Sequence, residues 1–205
     1  MTNGQPGLRE RKKAATRDAL SWAALRLAAE RGLENVRVED IAAEAGVSPR
    51  TYNNYFSSKS EAILFRHRDR IHRIAEALRT RPAGEPLWEA MTQAVLAPFE
   101  GAVDQPDPRW TSAVRLLLRE PSVWAELTRA AAETEAGLVA AVAARTGTDP
   151  VRDLYPKLVA AAVLSALRAA TDQWLHAEPT VPLRPLLMEA LRQLVAGLPD
   201  PSSTI

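Results

Sequence analysis

Apolar residues recur every three to four positions along most of this chain, which is the spacing of an amphipathic α-helix. Near the start, Leu20, Ala24, Leu27 and Ala28 form such a stripe, and Gly32 follows them as a good helix terminator. No stretch shows the alternation of a half-buried β-strand. The pattern therefore predicts an all-α fold.

Two short helices are predicted next, separated by a glycine. Glu39 and Asp40 suit the first turn of one helix, and Gly46 ends it. Ser48 then has the chemistry of an N-cap, and the proline after it fits the first helical position. These signals predict a short polar helix over Pro49–Tyr55.

A long fourth helix is predicted to begin at the Ser58–Glu61 capping box and to end near Thr80, before a proline-glycine break. Five further helical stretches follow, at 85–103, 108–119, 121–146, 150–178 and 182–197, which gives about nine helices in total. We predict a flexible arm at 1–8, a first domain with its connecting helix at 9–81, a second helical domain at 85–198 and a loose tail at 199–205.

Charge is distributed unevenly between the two predicted domains. Residues 1–81 hold 16 Lys/Arg against 10 Asp/Glu, a balance of +6, and residues 82–205 hold 10 against 15, a balance of −5. Only the first domain is therefore expected to meet a polyanion. Its basic cluster, which is Arg9, Arg11, Lys12 and Lys13, is interpreted either as a solvated helix start or as an arm that contacts DNA.

The glycine turn between the two short helices indicates a helix-turn-helix, in which the second helix enters the DNA major groove. Arg50 suits a guanine edge, and Asn53 or Asn54 suits adenine. Tyr52 and Tyr55 are expected either to reach phosphates through their hydroxyls or to pack at the edge of the core. Double-stranded DNA is the predicted partner.

Residues 36–63, "VRVEDIAAEAGVSPRTYNNYFSSKSEAI", resemble the TetR family of bacterial transcriptional regulators. The resemblance implies that Ser48, Arg50 and Thr51 lie against the groove. It also implies that Tyr52 and Lys59 touch phosphate. The segment "RTYNNYF" is closer to an actinobacterial branch near mycofactocin-type regulators, some of which respond to long-chain acyl-CoA.

Four positions depart from the family pattern. Arg37 stands where threonine is usual, Arg50 where glycine is common, Asn53 where tyrosine is common and Tyr55 where histidine is common. We expect Arg37 to reach a phosphate and position 53 to read a base. The candidate DNA-binding residues are Arg37, Val47, Ser48, Pro49, Arg50, Thr51, Tyr52, Asn53, Asn54, Tyr55 and Lys59.

The second domain is predicted to dimerise and to bind a small molecule. The resemblance implies a two-fold homodimer built on 150–178 and 182–197, and pockets between helices are common in bundles. Arg168 forms either a surface pair with Asp172 or a cation for a ligand acid. An apolar pocket with an arginine indicates an amphipathic acid or an acyl-CoA as the effector, whereas the apolar pocket alone would equally suit a neutral or cationic drug. The candidate ligand residues are Trp88, Met91, Phe99, Trp110, Val114, Leu117, Trp124, Leu127, Arg168 and Trp174.

Other classes of protein fit the sequence less well. There is no cysteine, and His67 and His72 lack a third ligand nearby, so we expect no metal and no cofactor. We find no nucleophile–base pair and no phosphate loop, so an enzyme is not expected. With no leader and no apolar run of roughly 18 residues, we expect a cytoplasmic protein with no membrane contact. The main expectation is a ligand-released repressor; the alternative is a ligand-independent DNA-binding protein whose second domain only dimerises.

Overall fold

The computed structural model describes residues 7–99, 117, 120–177 and 181–198. Eight α-helices lie in these ranges, together with two short 3₁₀ turns at Leu33–Asn35 and Ala97–Phe99, and no described residue is in a strand. The helices are α1 Leu8–Arg31, α2 Val38–Glu44, α3 Pro49–Asn53, α4 Lys59–Thr80, α5 Leu87–Leu96, α6 Pro121–Thr146, α7 Leu154–His176 and α8 Leu183–Val195. The prediction of an all-α fold is confirmed.

Several predicted boundaries are shifted in the structure. The helix α1 begins at Leu8, about three turns before Leu20, where the apolar stripe that predicted it starts. Gly32 ends the helix with a φ of 80°. The predicted helix at 85–103 ends as an α-helix at Leu96 and tightens into a 3₁₀ turn. Of the stretch predicted at 108–119, only Leu117 lies within the described residues.

The chain divides into two compact units, 1–67 with 112–129 and 68–111 with 130–205. The first unit has its own core, in which Leu20 and Leu27 of α1 pack with Ile41 of α2 and Phe56. Inside that core, the buried Ser21 hydroxyl donates a 2.6 Å hydrogen bond to the carbonyl of Ala62. This core fixes the helix-turn-helix to α1.

The second unit has a separate core built from the later part of α4 and from α5, α6, α7 and α8. Its buried side chains include Ile74, Met91, Leu138, Val163 and Leu187. Since five helices contribute to this core, each needs only one apolar face. The other faces of α7 and α8 carry exposed polar and apolar residues.

A nearly buried arginine fixes the end of α4 within the second unit. Arg145 on α6 donates from its guanidinium to the carbonyls of Arg81, Pro82 and Glu85, with the Pro82 bond at 2.8 Å. Arg81 in turn pairs with the Glu85 carboxylate, Nε to Oε2 at 2.7 Å, and this pairing holds the pKa of Glu85 below its ordinary value. These bonds supply donors to three carbonyls at the break between α4 and α5.

One segment within the described residues, Leu154–Trp174 in α7, is long and apolar enough to cross a membrane by length and composition. Core helices of soluble proteins share this length and composition. A third of this segment is buried, and Val159, Val163 and Leu167 face the core of the second unit.

Candidate nucleic-acid interface

A tight turn joins α2 to α3 in the first unit. Arg37 precedes α2 as its N-cap, and its backbone N–H donates to the Asp40 carboxylate at 2.9 Å. The Arg37 side chain is exposed. Because a guanidinium has no acceptor atom, it cannot cap the N–H groups at the start of α2. At the other end, Gly46 adopts a φ of 67°, a conformation that glycine reaches without strain. The N–H of Val47 then bonds the carbonyl of Ala42 at 2.9 Å and closes the turn.

The start of α3 is fixed by its own sequence. The Ser48 hydroxyl accepts a 3.1 Å hydrogen bond from the N–H of Thr51 and lies 2.9 Å from the Thr51 hydroxyl. Pro49 occupies the first helical position, where no N–H is needed. The predicted cap and helix start are confirmed, although the helix ends at Asn53, two residues earlier than predicted.

Tyr52 anchors the inner side of α3. Its side chain is only 1% exposed, and its hydroxyl donates a 2.9 Å hydrogen bond to the carbonyl of Ser58. Its ring centre lies 5.8 Å from that of Phe56. Burial, with a smaller contribution from the charge of Glu61, raises the pKa of Tyr52 to about 12. Of the two interpretations of this residue, the structure shows core packing, because the hydroxyl that a phosphate would need is already used inside the fold.

The outer side of α3 presents polar groups to solvent. Arg50, Asn53 and Asn54 are exposed, and in the described part of the chain their side chains form no hydrogen bond or ion pair. Thr51 and Tyr55 are half-buried beside them. Val47, just before the helix, is also half-buried, whereas Ser48 and Pro49 are exposed. The result is a rigid helix whose free donors and acceptors match those on base edges.

Lys59, at the start of α4, is bonded within the fold. Its ammonium donates to the carbonyls of Leu33 and Val36, both at 2.7 Å. An ammonium has three N–H groups, so one remains for another acceptor. The α4 start itself is capped by Ser58, whose hydroxyl accepts from the N–H of Glu61 at 3.0 Å. The Glu61 carboxylate reaches back to Ser57, one residue before the cap that the sequence predicted for it.

Arg17 of α1 is a residue of this region that sequence analysis missed. Its guanidinium lies 4.3 Å from the ring centre of Phe65 and 5.5 Å from that of Phe56. Its Nε is buried and has no hydrogen-bond partner among the described residues. Phe56 immediately follows the helix-turn-helix, so this stack joins α1 to the base of α3. No local motif marks it, because the two phenylalanines are far from Arg17 along the chain.

Two family models match the chain. A model of the N-terminal domain of bacterial regulatory proteins of the tetR family matches residues 22–64, which include α2, the turn and α3. A model of the MftR C-terminal domain matches residues 85–199, more than half of the chain. The protein belongs to the TetR family of bacterial regulators. The arrangement around α3 is therefore the helix-turn-helix of a DNA-binding transcriptional regulator.

Curated members of the TetR family extend this similarity over most of the chain. The HTH-type transcriptional regulator TcmR of Streptomyces glaucescens is 35% identical over 178 residues, which cover 84% of this chain and 79% of TcmR. MftR of Mycobacterium tuberculosis, named as a mycofactocin biosynthesis transcriptional regulator, is 28% identical over 189 residues, covering 92% and 93% of the two chains. The resemblance to this actinobacterial branch is confirmed, and these relatives are regulators rather than enzymes.

A solved structure supports the fold. Thermus thermophilus FadR, a TetR-family transcriptional repressor in complex with lauroyl-CoA, has a TM-score of 0.53 and 20% identity, covering 90% of this chain and 95% of that one. At this identity the match concerns the fold alone.

The predicted ligand residues are distributed over both units. In the second unit, Met91 is fully buried, Phe99 is nearly so beneath the guanidinium of Arg70 at 4.6 Å, and Trp88 packs half-buried against the same core. Leu117 packs instead in the core of the first unit. Trp110 and Val114 lie outside the described residues, as do the side chains of Trp124 and Leu127.

Two predicted ligand residues lie on α7. Arg168 is exposed and has no ion-pair partner in the described part of the chain, so the surface pair with Asp172 is not formed. The Oδ1 atom of Asp172 lies instead 3.5 Å from Nδ1 of His176. Trp174 is half-buried, and its Nε1 has no described hydrogen-bond partner. An open depression of about 570 Å³ lies near the end of α7, and none of the predicted residues lines it; its lining is Gln173, His176, Ala177, Val181, Pro182, Pro185 and Leu186.

Proposed function

We propose that this regulator is a repressor that binds a near-palindromic operator as a homodimer and leaves it when a small molecule binds the second unit. The observation that carries the DNA-binding part is the outer side of α3. Arg50, Asn53 and Asn54 are exposed there on a helix whose other side is fixed by the buried Tyr52. A rigid helix with free base-matching groups recognises sequence at little entropic cost.

The proposed homodimer is supported by an apolar surface on the second unit. Leu154, Leu158 and Tyr155 of α7 are exposed, with Leu158 at 56%, and Met188 and Val195 of α8 are exposed as well. Large apolar side chains that recur along two neighbouring helices mark an association surface. A second copy of the chain would cover them by a two-fold interface, in which the same surface serves both partners.

This dimer sets the form of the operator. Two copies of α3 on one face of a duplex need half-sites about 34–36 Å apart, one helical turn or a multiple of it. The two-fold axis makes those half-sites inverted copies of each other. Since DNA lies in the cytoplasm of bacteria, we place the protein there, and we assign the apolar side of α7 to the dimer rather than to a membrane.

For the effector we propose an amphipathic acid or an acyl-CoA. The support is the lauroyl-CoA bound to Thermus thermophilus FadR and the match of residues 85–199 to the MftR C-terminal domain. The residues proposed to contact this effector are Arg168, Trp88, Met91, Phe99 and Trp174. Ligand would favour a conformation of the dimer in which the two copies of α3 no longer fit the half-sites.

Selection from fragmented genomic DNA tests the DNA-binding part of the proposal. Purified protein is equilibrated with the fragments at near-physiological salt, and the bound DNA is sequenced. We expect an enriched near-palindrome beside promoters. Salt-sensitive binding without any enriched sequence would contradict the operator proposal.

A separate titration tests release by ligand. The recovered duplex is bound to the protein, and lauroyl-CoA is added, with coenzyme A and lauric acid as controls for its two halves. We expect release by the acyl-CoA or by the acid, and a raised melting temperature of the free protein. Unchanged operator affinity at saturating concentrations of a ligand that does bind would favour a second unit that only dimerises.

A further inference from the structure

The first two turns of α1 extend beyond the core of the first unit. Buried residues on α1 begin at Leu20, whereas every residue from Gly7 to Ala15 is exposed. Eight exposed helical residues correspond to a length of about 12 Å. Within the described structure no residue of this segment is buried, so its sequence is not needed for the core.

The charges on this segment are unfavourable for the helix itself. Arg9 and Arg11 lie in the first turn of α1, where the helix dipole repels cations, and Lys12 and Lys13 follow in the second turn. Arg9 and Lys13 are also four positions apart, which places like charges side by side. Glu10 is the one acid among them, and within the described residues none of the four cations forms an ion pair. A charge pattern that costs the free protein stability indicates an anionic partner outside it.

The direction of two of these cations follows from helix geometry. Arg9, Lys13 and Arg17 are spaced four residues apart, so their side chains lie within about 80° of one another around the helix. Arg17 faces inward and stacks on Phe56, the residue that joins α3 to α4. Lys13 and Arg9 lie on the same side of α1 as Arg17, about one and two turns closer to its N-terminus. Measured from the direction midway between Arg9 and Lys13, Lys12 points roughly 80° away and Arg11 roughly 180° away.

We propose that Arg9 and Lys13 form a second DNA-contact site, which binds the sugar-phosphate backbone beside the groove that α3 enters. This inference rests on the proposed DNA binding by α3. Through Arg17 and Phe56 the side of α1 that carries both cations is continuous with the base of the recognition helix. Lysine and arginine at this position neutralise phosphates and add affinity without reading sequence.

The two sides of the segment supply a matched test. R9Q/K13Q and R11Q/K12Q each remove one arginine and one lysine and keep good helix formers. Binding of each variant is measured by fluorescence anisotropy between 50 and 300 mM NaCl, on a duplex recovered from the genomic selection and on a scrambled duplex of equal length. We expect R9Q/K13Q to lower the salt slope by about two per bound protomer on both duplexes, and affinity by roughly tenfold near physiological salt. R11Q/K12Q should lose less than half as much.

The melting temperature separates this site from a structural role. Since Arg9 opposes the helix dipole and Arg9 and Lys13 repel each other, R9Q/K13Q should melt at the same temperature as the parent protein or higher. Equal losses of slope from both pairs, or none from R9Q/K13Q, would overturn the proposal. Arg50→Ala is measured alongside: if it abolishes the preference for the recovered duplex while R9Q/K13Q binds normally, the α3 proposal stands and this one fails. If no duplex is enriched, the salt slopes of the parent protein and of R9Q/K13Q are compared on the scrambled duplex, and an unchanged slope overturns the proposal.

Discussion

The hydroxyl of Tyr52 donates a 2.9 Å hydrogen bond to the carbonyl of Ser58, and this bond ties the recognition helix to the start of α4. Tyr52 belongs to α3, while Ser58 is the residue that caps α4. The orientation of the exposed residues of α3 therefore depends on a buried contact on its opposite side.

Tyr52→Phe should lower the free energy of unfolding by about 1 kcal/mol, because the buried carbonyl–hydroxyl bond is lost while the ring remains. Chemical denaturation with urea measures this change. Tyr55→Phe is the matched control, since Tyr55 is half-buried and its hydroxyl has no hydrogen-bond partner within the described residues. An equal loss from both variants would show that the Ser58 bond contributes nothing specific.

The burial of Tyr52 predicts a response to alkali. The pKa of Tyr52 is raised to about 12, above the ordinary value near 10, so the folded state favours the neutral phenol. That stabilisation is fully present below pH 10 and is lost as the pH rises toward 12. Ultraviolet titration should show one of the three tyrosines ionising late, and Tyr52→Phe should remove that late step. A late step that persists in Tyr52→Phe would assign it to another tyrosine.

Arg50→Ala should relax sequence preference at one position of each half-site and cost about 1–3 kcal/mol of binding free energy, if the guanidinium reads a guanine. Competition binding against a set of single-base variants of the recovered duplex measures the preference. Lys12→Ala is the control for loss of one positive charge. A loss that is uniform over all variants would assign Arg50 to the phosphate backbone.

Lys59→Ala should affect both the fold and DNA binding. Removing the ammonium leaves the carbonyls of Leu33 and Val36 without their donor, and we expect about 2 kcal/mol less stability. The remaining N–H is available to a phosphate, so the salt slope should also fall by about one. Lys12→Ala, whose ammonium has no described partner, should leave the stability unchanged. A wild-type melting temperature for Lys59→Ala would show that the two bonds add little.

Leu158→Glu should dissociate the proposed dimer without unfolding the protomer. Leu158 is 56% exposed on α7, so a charge there meets water in the monomer and an apolar surface in the dimer. Sedimentation velocity measures the oligomeric state. Ala140→Glu adds the same charge at an exposed position of α6 and should remain dimeric. If both variants sediment like the parent protein, α7 is not at the dimer interface.

Much of the architecture follows from local sequence. The helical period, Gly32, Gly46 and the Ser48–Pro49 start each act within a few residues, so they predicted the all-α fold and the helix-turn-helix without reference to distant contacts. The stretch 36–63 was also sufficient to indicate the family. The first turns of α1 escaped prediction because their side chains are exposed, and a helix without a buried side carries no apolar period.

The sequence alone determined where α3 starts, and the tertiary structure decided which side of it faces the core. Five residues are too few for a period to distinguish the two sides, and tyrosine suits either one. Tyr52 turned inward because Phe56 and the carbonyl of Ser58 offer it a ring contact and an acceptor. Lys59 was bonded inward for a similar reason, since the carbonyls it satisfies come from residues far earlier in the chain. Such partners meet only after the helices pack, and no local pattern contains them.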